Sequence, residues 1–574
     1  MKKELLYKIM KIASLVLALF NLLMYFSMRC CWSGISKTLG YENEYNPLIL
    51  HLPLILFFVM LATAITNIFL FKLMKKDSNL WSIIMIGINA IFTIAITVII
   101  VLGAIDYMYF IIPEFIKVCM ITGLVFFILF MIFIYPKTHL ADNKIFKYSI
   151  FSAVLLIAVL CVINLSINRI DYKPVVYAVE DKYQIVFGTS TDALGWVEIN
   201  GKKYTDTYAG SEKSFTRVHK IEVPMKDLDD AGKYSIHSLK FYYRGPFGAI
   251  KNENEEICEE YNFRGVDSSD GLNYYAIADI HMETEGSLKA ANQNQDKEFL
   301  VLAGDLISLM NTHDDAFYTG KVAHEITKGE IPVVYARGNH EVKGDISEEF
   351  YKYVGSKNGN FYYNFYFDNV YGIVLDLGED HDDNWWEYYE TAHYDEYREE
   401  QAIFLQNELD SKHHENYNYQ MLVSHIPVCY INTRRNHIPI KKELTSLLNQ
   451  FDLDIALSGH QHDLWVFEPN ILTPYEELTY NESFDSGKHK GQVTDFNFPT
   501  FLISKRGEAQ NDSAKLTQKN QIALTVKVNF KSNTETIIYN NSEGKLINIV
   551  NQFANYNYGT EIVVNLETKE FTKR

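Results

Sequence analysis

Cysteine is scarce in this sequence of 574 residues, and the six cysteines show no metal-binding spacing. None belongs to a C-x-x-C pair, which excludes the usual cysteine-based zinc motifs. Only Cys258 and Cys429 lie beyond residue 170. Their spacing leaves pairing open, and we expect two unlinked, buried thiols.

Basic residues are under-represented after residue 170. The first 170 residues contain 14 Lys and Arg against 7 Asp and Glu, a net charge of +7. The remainder contains 39 basic and 64 acidic residues, a net charge of −25. Because nucleic acid is bound by basic surfaces, we expect no nucleic-acid partner, and a nuclease is disfavoured.

Charge is also scarce within five apolar stretches of the first 170 residues. Most of them approach or exceed the ~20 residues that span a bilayer, so we predict five transmembrane helices in residues 1–170. The first could instead be a signal peptide, but no convincing small-residue cleavage site follows it. The stretches are Ile12–Phe26, Pro47–Phe71, Leu80–Ala104, Phe115–Tyr135 and Tyr148–Ile167.

The basic residues around these stretches predict their orientation in the lipid bilayer. Ten lysines precede the first stretch or lie in the loops after the second and the fourth, and the alternate loops hold four basic residues. Cytoplasmic loops carry the excess of positive charge. We therefore expect a multi-pass protein of the cell membrane whose residues after Ile170 lie on the extracytoplasmic side.

Short alternating segments in residues 171–270 predict β-strands. Asn200-Gly201 indicates a hairpin turn. Evenly spaced short strands favour a small β-sandwich of the fibronectin III-like kind, acting as a spacer or, alternatively, as a substrate gate. The predicted strands are Val175–Val179, Tyr183–Phe187, Trp196–Ile199, Val218–Val223 and Tyr234–Tyr243.

From residue 271 onward, strand-like runs alternate with helical stretches, which predicts an α/β layered domain. Five runs end directly in polar residues that are costly to bury without a bound group. Ligands bind beyond the carboxyl ends of such strands, and Asp, Asn and His suit a hard-to-borderline metal. The five motifs are Asp279-Ile280-His281, Gly304-Asp305, Arg337-Gly338-Asn339-His340-Glu341, His425 and Gly459-His460-Gln461-His462.

The set and its order resemble the calcineurin-like metallophosphoesterases over about residues 273–465, and the preceding β-sandwich is similar to that of the purple acid phosphatase branch. The resemblance implies a metallophosphoesterase domain over residues 271–574, with later strands such as Ile522–Phe530. It also implies two divalent or trivalent metal ions, of Mn, Fe or Zn. One metal would be held by Asp279, His281, Asp305 and His462, and the other by Asp305, Asn339, His425 and His460, with Asp305 bridging.

The resemblance places His340 near the leaving-group oxygen, as a general acid, rather than on a metal. Arg337 either binds substrate phosphate bidentately or forms a surface ion pair, and both remain open. Ser308 stands where the purple acid branch has a tyrosine ligand, and that branch lacks a histidine like His281, so we expect no tyrosinate-to-iron colour. Residues 376–386 are predicted to be a solvated acidic loop, or alternatively a rim that disfavours highly anionic substrates.

The sequence thus predicts a multidomain protein with a helical membrane region, a small β-sandwich and an α/β layered metallophosphoesterase domain. The expected function is hydrolysis of phosphomonoesters or small phosphodiesters by a membrane-anchored, externally facing enzyme. The alternative is a membrane sensor or transport-coupled protein whose esterase-like domain binds a ligand without turnover. The intact ligand set favours the enzyme.

Overall fold

The computed structural model describes residues 168–245, 248–251, 255–388, 390–432, 440–481, 488–503, 521–551, 553 and 556–572. The five predicted transmembrane helices all lie outside these described residues. Within them, no helix combines the length and the apolar character that crossing a membrane requires.

The residues predicted as strands in 171–270 are largely in strands, but Tyr183–Phe187 and Trp196–Ile199 belong to one strand, β2, and Tyr234–Tyr243 is divided between β7 and β8. The Asn200-Gly201 turn joins β2 to β3 with φ values of 49° and 77°, which is the type I′ geometry expected of this pair. The elements are β1 (Ile170–Val179), β2 (Lys182–Ile199), β3 (Lys202–Thr205), β4 (Thr207–Tyr208), β5 (Ser211–Glu212), β6 (Thr216–Pro224), α1 (Met225–Ala231), β7 (Lys233–Leu239), β8 (Phe241–Gly245), β9 (Gly248–Lys251) and β10 (Ile257–Asn262).

These strands are not separate from the sheet that follows them. The long strand β2 pairs with β1 and β6 through its first half and with β3 and β7 through its second half. Strand β1 in turn runs parallel to a strand of the α/β region, with Tyr177 opposite Val333. The predicted sandwich is therefore joined edge to edge to the next sheet, which local patterning cannot show because the paired residues are far apart in sequence.

The α/β region contains the alternating strands and helices that its sequence predicts. Its elements are β11 (Gly271–Ile277), α2 (Thr284–Ala291), β12 (Phe299–Ala303), α3 (His313–Thr327), β13 (Val333–Ala336), β14 (Tyr363–Phe367), β15 (Val370–Leu375), α4 (Tyr394–Ser411), β16 (Tyr419–Ser424), β17 (Tyr430–Asn432), α5 (Ile440–Leu448), β18 (Ile455–Ser458), β19 (Val466–Phe467), β20 (Leu478–Asn481), β21 (Lys488–Val493), β22 (Thr500–Leu502), β23 (Ile522–Asn529), β24 (Thr534–Asn541), β25 (Ile549–Asn551), β26 (Tyr556–Gly559) and β27 (Ile562–Asn565). Short 3₁₀ turns lie at Ser347–Lys352, Trp386–Tyr388 and His413–Asn416.

Two mixed sheets carry the parallel strands. The first has the order β10-β7-β2-β1-β13-β12-β11-β23-β24-β27, and the second has the order β14-β15-β16-β18-β22-β19. Strands β11, β12 and β13 are parallel in the first sheet, and β15, β16, β18 and β22 are parallel in the second. This arrangement confirms the α/β layered domain.

The alternation of side chains along the strands produces three hydrophobic layers. In β11, Tyr274 and Ala276 face a core that also receives residues from the second sheet, whereas Tyr275 and Ile277 face a core containing residues of α3. The outer face of the second sheet packs with residues of α4 and α5. Successive side chains of a strand point to opposite faces of its sheet, so each sheet contacts two different apolar layers. The two sheets therefore lie between helices.

The two cysteines of the described chain are not bonded to each other, as expected. Cys429 is buried, but Cys258 is exposed on β10, so the prediction that both are buried was wrong for Cys258. The edge strand β10 alternates between partly buried and exposed residues, and Cys258 occupies an outward position.

Candidate metal centre

The predicted metal ligands come together from both sheets. Asp279 and His281 follow β11, Asp305 follows β12, and Asn339 follows β13. The remaining three, His425, His460 and His462, follow β16 and β18 of the second sheet. Because the carboxyl ends of these parallel strands converge, side chains nearly 200 residues apart in sequence meet in one place.

The first group of ligands consists of Asp279, His281, Asp305 and His462, whose donor atoms all lie within 4.8 Å of one another. The Nε2 atoms of His281 and His462 are 3.0 Å apart. His462 Nε2 lies 3.3 Å from Asp279 Oδ1, and His281 Nε2 lies 3.9 Å from Asp305 Oδ2. Two carboxylates and two imidazoles thus surround one point, which is a suitable set for one metal ion.

The second group shares Asp305 with the first and adds His425 and His460. His425 Nε2 lies 3.1 Å from Asp305 Oδ2 and 3.2 Å from the amide oxygen of Asn339. That oxygen also lies 3.0 Å from Nδ1 of His460. The structure therefore brings Asn339 into the second group and places Asp305 between the two, as a bridging carboxylate requires.

The lone pairs in the second group indicate a cation. His425 Nδ1 lies 2.8 Å from the carbonyl oxygen of Ala303, which can only accept, so Nδ1 carries the proton of the neutral ring. His425 Nε2 then has a lone pair that faces oxygen atoms of Asp305 and Asn339. Acceptors that face each other repel unless a cation or a proton lies between them, so these residues fit a metal ion.

Protonation of the metal-free protein supports the same conclusion. Burial lowers the pKa of His425, but the Asp305 carboxylate outweighs burial and raises the pKa to about 10. Burial alone raises the pKa of Asp305, whereas the imidazoles of His425 and His340 lower it well below its ordinary value. The cluster therefore attracts positive charge, which a metal ion supplies in place of the proton.

The backbone of the ligand loops is strained in a way that is typical of functional sites. Five ligands have positive φ angles between 46° and 74°, namely Asp279, His281, Asp305, His460 and His462. This left-handed conformation costs roughly 1–2 kcal/mol for each non-glycine residue. Strain of this kind persists where the surrounding structure and a function impose it.

Glycines allow the loops to approach one another closely. A Cβ atom on Gly338 would lie 2.2 Å from Asp305 Oδ1, and one on Gly304 would lie 2.6 Å from Nδ1 of His425. Gly304 also has a φ of 84°, which disfavours any side chain. Glycine at these two positions therefore allows the loop that carries Asp305 to pack against the loops that carry Asn339 and His425.

Glu341 closes the motif after β13 and has a role that sequence reasoning missed. Its fully buried carboxylate accepts hydrogen bonds from the backbone N–H groups of Gly338, Asp305 and Leu306, at 2.9, 3.0 and 2.7 Å. Burial, with a smaller contribution from the Asp305 carboxylate, raises its pKa to about 7. Glu341 thus fixes the loop that carries the bridging ligand to the loop that carries Asn339.

His340 lies beside the two metal groups. Its backbone N–H donates to Asp305 Oδ1 at 2.9 Å, and its ring Nδ1 lies 3.0 Å from the carbonyl oxygen of Ser308. Because that carbonyl only accepts, Nδ1 holds a proton, and Nε2 is the nitrogen that can exchange one. Nε2 lies 3.9 Å from Asp305 Oδ2, so the predicted proton donor is next to the site.

Arg337 forms an ion pair with Asp376, one of the two roles that the sequence analysis left open. Its Nη2 lies 2.7 Å from Asp376 Oδ2, and its guanidinium lies 4.5 Å from the centre of the Phe361 ring. Only 14% of the Arg337 side chain is exposed, and Asp376 is fully buried, so the ion pair is a buried one and differs from the surface pair that was one of the two alternatives. Contact between Arg337 and a substrate phosphate stays a prediction.

The acidic segment after β15 is not a solvated loop. Asp376, Glu379 and Asp380 are buried, and each contacts a charged or ligand residue. Asp376 pairs with Arg337, Glu379 lies 2.7 Å from Nζ of Lys343, and Asp380 Oδ2 lies 2.9 Å from Nε2 of His460. The prediction of a solvated loop was wrong because these partners come from other loops. The sequence signal for their burial was the apolar strand β15 directly before them, since the metal-ligand motifs also follow such strands.

The comparisons with known proteins agree with this geometry. Residues 272–464 match the family model described as calcineurin-like phosphoesterase, and this range contains every predicted metal ligand. The fold and the paired ligand groups define a two-metal hydrolase. The matched part of the chain has the metallophosphoesterase fold, and the protein is a metal-dependent phosphoesterase. A search of curated proteins found no match.

Similar solved structures include other phosphatases. A purple acid phosphatase from yellow lupin (Lupinus luteus) seeds is 14% identical, with a TM-score of 0.42, and the match covers 65% of this chain and 72% of that one. PhoD is 12% identical, with a TM-score of 0.39 and coverage of 70% and 91%. A dimetal phosphatase from Danio rerio is 14% identical, with a TM-score of 0.32 and coverage of 48% and 97%. These scores are low, and the assignment rests on the family match and the ligand geometry.

Proposed function

We propose that this protein is a membrane-anchored, externally facing phosphohydrolase that acts on phosphomonoesters or small phosphodiesters. The observation that carries the proposal is the pair of ligand groups that share Asp305. When bound, two metal ions clamp the oxygens of an in-line displacement and acidify a water molecule. The donor set of carboxylates, imidazoles and an amide suits Mn, Fe or Zn.

The residues of this chain supply the remaining requirements. Asp305 presents one carboxylate to both groups, and neutral imidazoles add affinity without cancelling the cationic charge that a phosphate needs. His340 holds a proton at Nδ1 through Ser308 and presents Nε2 toward the site, where the imidazolium form can give its Nε2 proton to a leaving oxygen and become neutral. Its side chain is 27% exposed, which leaves it accessible to a substrate.

The charges around the site favour small substrates. Glu379 and Asp380 lie within hydrogen-bond distance of metal ligands, and the chain after residue 170 carries a net charge of −25. Such a field repels a polyanion more strongly than a single phosphate group. A nucleic-acid substrate is therefore disfavoured.

A substrate panel on the purified full-length chain tests the activity. We expect hydrolysis of nitrophenyl and alkyl phosphomonoesters, or of a small diester, that is lost on chelation and restored by Mn, Fe or Zn. Two bound metals without turnover of any substrate would instead favour the membrane sensor or transport-coupled protein. Failure to bind metal would refute the proposed site itself.

The membrane location is supported by sequence alone, through five apolar stretches and the ten-to-four distribution of basic residues. Protease added to intact cells should remove the catalytic domain, detected by an antibody against residues 521–551. An internal epitope near residue 77 should be protected at the same time. Protection of the catalytic domain until the membrane is broken would refute the orientation.

A further inference from the structure

The segment that follows β15 holds two consecutive buried carboxylates at the second ligand group. Glu379 is 2% exposed and Asp380 is 5% exposed, so both side chains are removed from water. Burying two adjacent carboxylates is costly unless each has a specific partner. The partners in the structure explain the cost and indicate a role.

Helix α4 fixes the backbone of this segment. The buried Arg398 donates from Nε to the carbonyl oxygen of Leu377 at 2.9 Å and from Nη2 to the carbonyl oxygen of Glu379. Gln401 exchanges two hydrogen bonds with the backbone of Asp376, at 2.8 and 2.6 Å. These hydrogen bonds from α4 fix the backbone that carries the two carboxylates. A carboxylate must be fixed in this way if it is to orient a metal ligand.

Asp380 determines which nitrogen of His460 is available. Asp380 Oδ2 lies 2.9 Å from His460 Nε2, and an ionised carboxylate can only accept, so Nε2 carries the proton. In the neutral ring, Nδ1 then has the lone pair. Nδ1 faces the amide oxygen of Asn339 at 3.0 Å, which is the direction of the second metal position.

Glu379 determines which end of the Asn339 amide faces the metal. Asn339 Nδ2 donates to Glu379 Oε2 at 3.3 Å, while Lys343 Nζ lies 2.7 Å from the other oxygen, Oε1. With its NH₂ group turned toward Glu379, Asn339 presents its oxygen to His425 and His460. An inverted amide would present N–H donors to the metal position, where they cannot bind a cation.

We propose that Glu379 and Asp380 are positioning residues that orient Asn339 and His460 and thereby determine how tightly the second metal position binds its ion. The inference rests on the proposed two-metal function. It adds that metal binding at the second position depends on the segment after β15. Without these carboxylates, His460 can adopt the other tautomer and Asn339 can invert. The second ion then binds more weakly while Asp279, His281 and His462 retain the first.

The test measures metal binding by the full-length chain, with Mn²⁺ and Zn²⁺ as the probes. After dialysis, the wild type is expected to retain two ions per chain by elemental analysis, and Asp380→Ala about one. Calorimetric titration of Asp380→Ala should show the weaker site with roughly 10–100-fold lower affinity, the usual effect of losing such a partner. Asp380→Asn, which can still accept from His460, should fall between the two, and Glu379→Ala should resemble Asp380→Ala.

Two controls separate positioning from general destabilisation. Glu399→Gln changes an exposed acid of α4 and should leave both affinities unchanged. The thermal midpoint of the metal-free Asp380→Asn variant should match that of the metal-free wild type, with the difference appearing only when metal is added. Two ions bound at wild-type affinity by Asp380→Ala and Glu379→Ala would overturn the inference and leave the proposed function intact. A wild type that binds no metal would refute the proposed function.

Discussion

The Nε2 atoms of His281 and His462 lie only 3.0 Å apart and near Oδ1 of Asp279, at 4.0 and 3.3 Å. Two imidazole nitrogens that close together share one proton or one cation. We expect a chelator to lower both the activity and the thermal midpoint, because a metal bound at 100 times its Kd adds about 2.7 kcal/mol to the free energy of unfolding. Thermal unfolding with and without chelator measures this, and chelator presaturated with Mn²⁺ is the control. Equal midpoints would contradict metal binding.

Asp305→Asn should impair both metal positions, because the bridging carboxylate contacts ligands of both groups. An amide has one donor end and no negative charge, so it cannot present anionic oxygens to two cations. Elemental analysis of the purified variant should find fewer than one ion per chain, and turnover should fall at least 100-fold. Asp296→Asn, on an exposed loop of the same domain, should retain two ions. An Asp305→Asn protein with two ions and full turnover would refute the bridging assignment.

The buried carboxyl group of Glu535 should make the free energy of unfolding depend on pH, independently of catalysis. This fully buried residue of β24 accepts a hydrogen bond from the Tyr419 hydroxyl at 2.7 Å. Burial, with a smaller contribution from the Asp454 carboxylate, raises its pKa to about 8. Because the folded pKa exceeds the ordinary value of about 4.3, the stabilising effect is complete below about pH 4.3 and is lost as the pH rises through about 8.

Glu535→Gln should remove this dependence, since an amide does not ionise in this range. Between about pH 5 and 8 the wild type should lose up to about 1.4 kcal/mol per pH unit relative to the variant. Denaturant unfolding at pH 5, 6.5 and 8 gives the difference, with Glu543→Gln on an exposed turn as the control. A difference that does not vary with pH would show that Glu535 is ionised throughout the range.

The sequence predicts the catalytic strands well because each combines an apolar run with polar residues directly after it. The apolar run Phe299–Ala303 coincides with β12, and β13 and β18 begin two residues and one residue after the starts of the predicted runs 331–336 and 454–458. All seven predicted ligands meet, since the carboxyl ends of parallel strands converge whatever the intervening loops do. The helical spacing of residues 314–327 predicts α3, which begins one residue earlier, at His313, because Thr312 and Asp315 form a capping box.

The contacts that the sequence could not predict depend on partners distant in the chain. Four acids within five residues usually indicate a solvated loop. The burial of Glu379 and Asp380 follows only once Lys343, Arg398 and His460 are placed around them. The pairing of β1 with β13 is equally non-local, because the period-two pattern of a strand specifies its faces and not its neighbour.

His340→Ala provides a test of chemistry rather than of metal binding. The Ser308 carbonyl directs His340 Nε2 to the site, where a proton donor contributes roughly 10²–10⁴-fold to the rate. The contribution depends on the leaving group, because an alkoxide needs a proton to depart and a nitrophenolate does not. We expect the variant to keep two ions and to lose at least 100-fold in kcat on an alkyl phosphate, but less than 10-fold on a nitrophenyl phosphate.

The comparison of the two substrates is the internal control for His340→Ala, because misfolding or metal loss lowers both rates together. His413→Ala, which changes a histidine on the surface away from the ligand loops, should leave the ratio of the two rates unchanged. Restoring turnover of the alkyl phosphate with added imidazole would identify the missing group as a proton donor. Equal losses on both substrates with two ions retained would instead mean that His340 positions the phosphate. Such a contact affects both substrates equally because it does not depend on the leaving group.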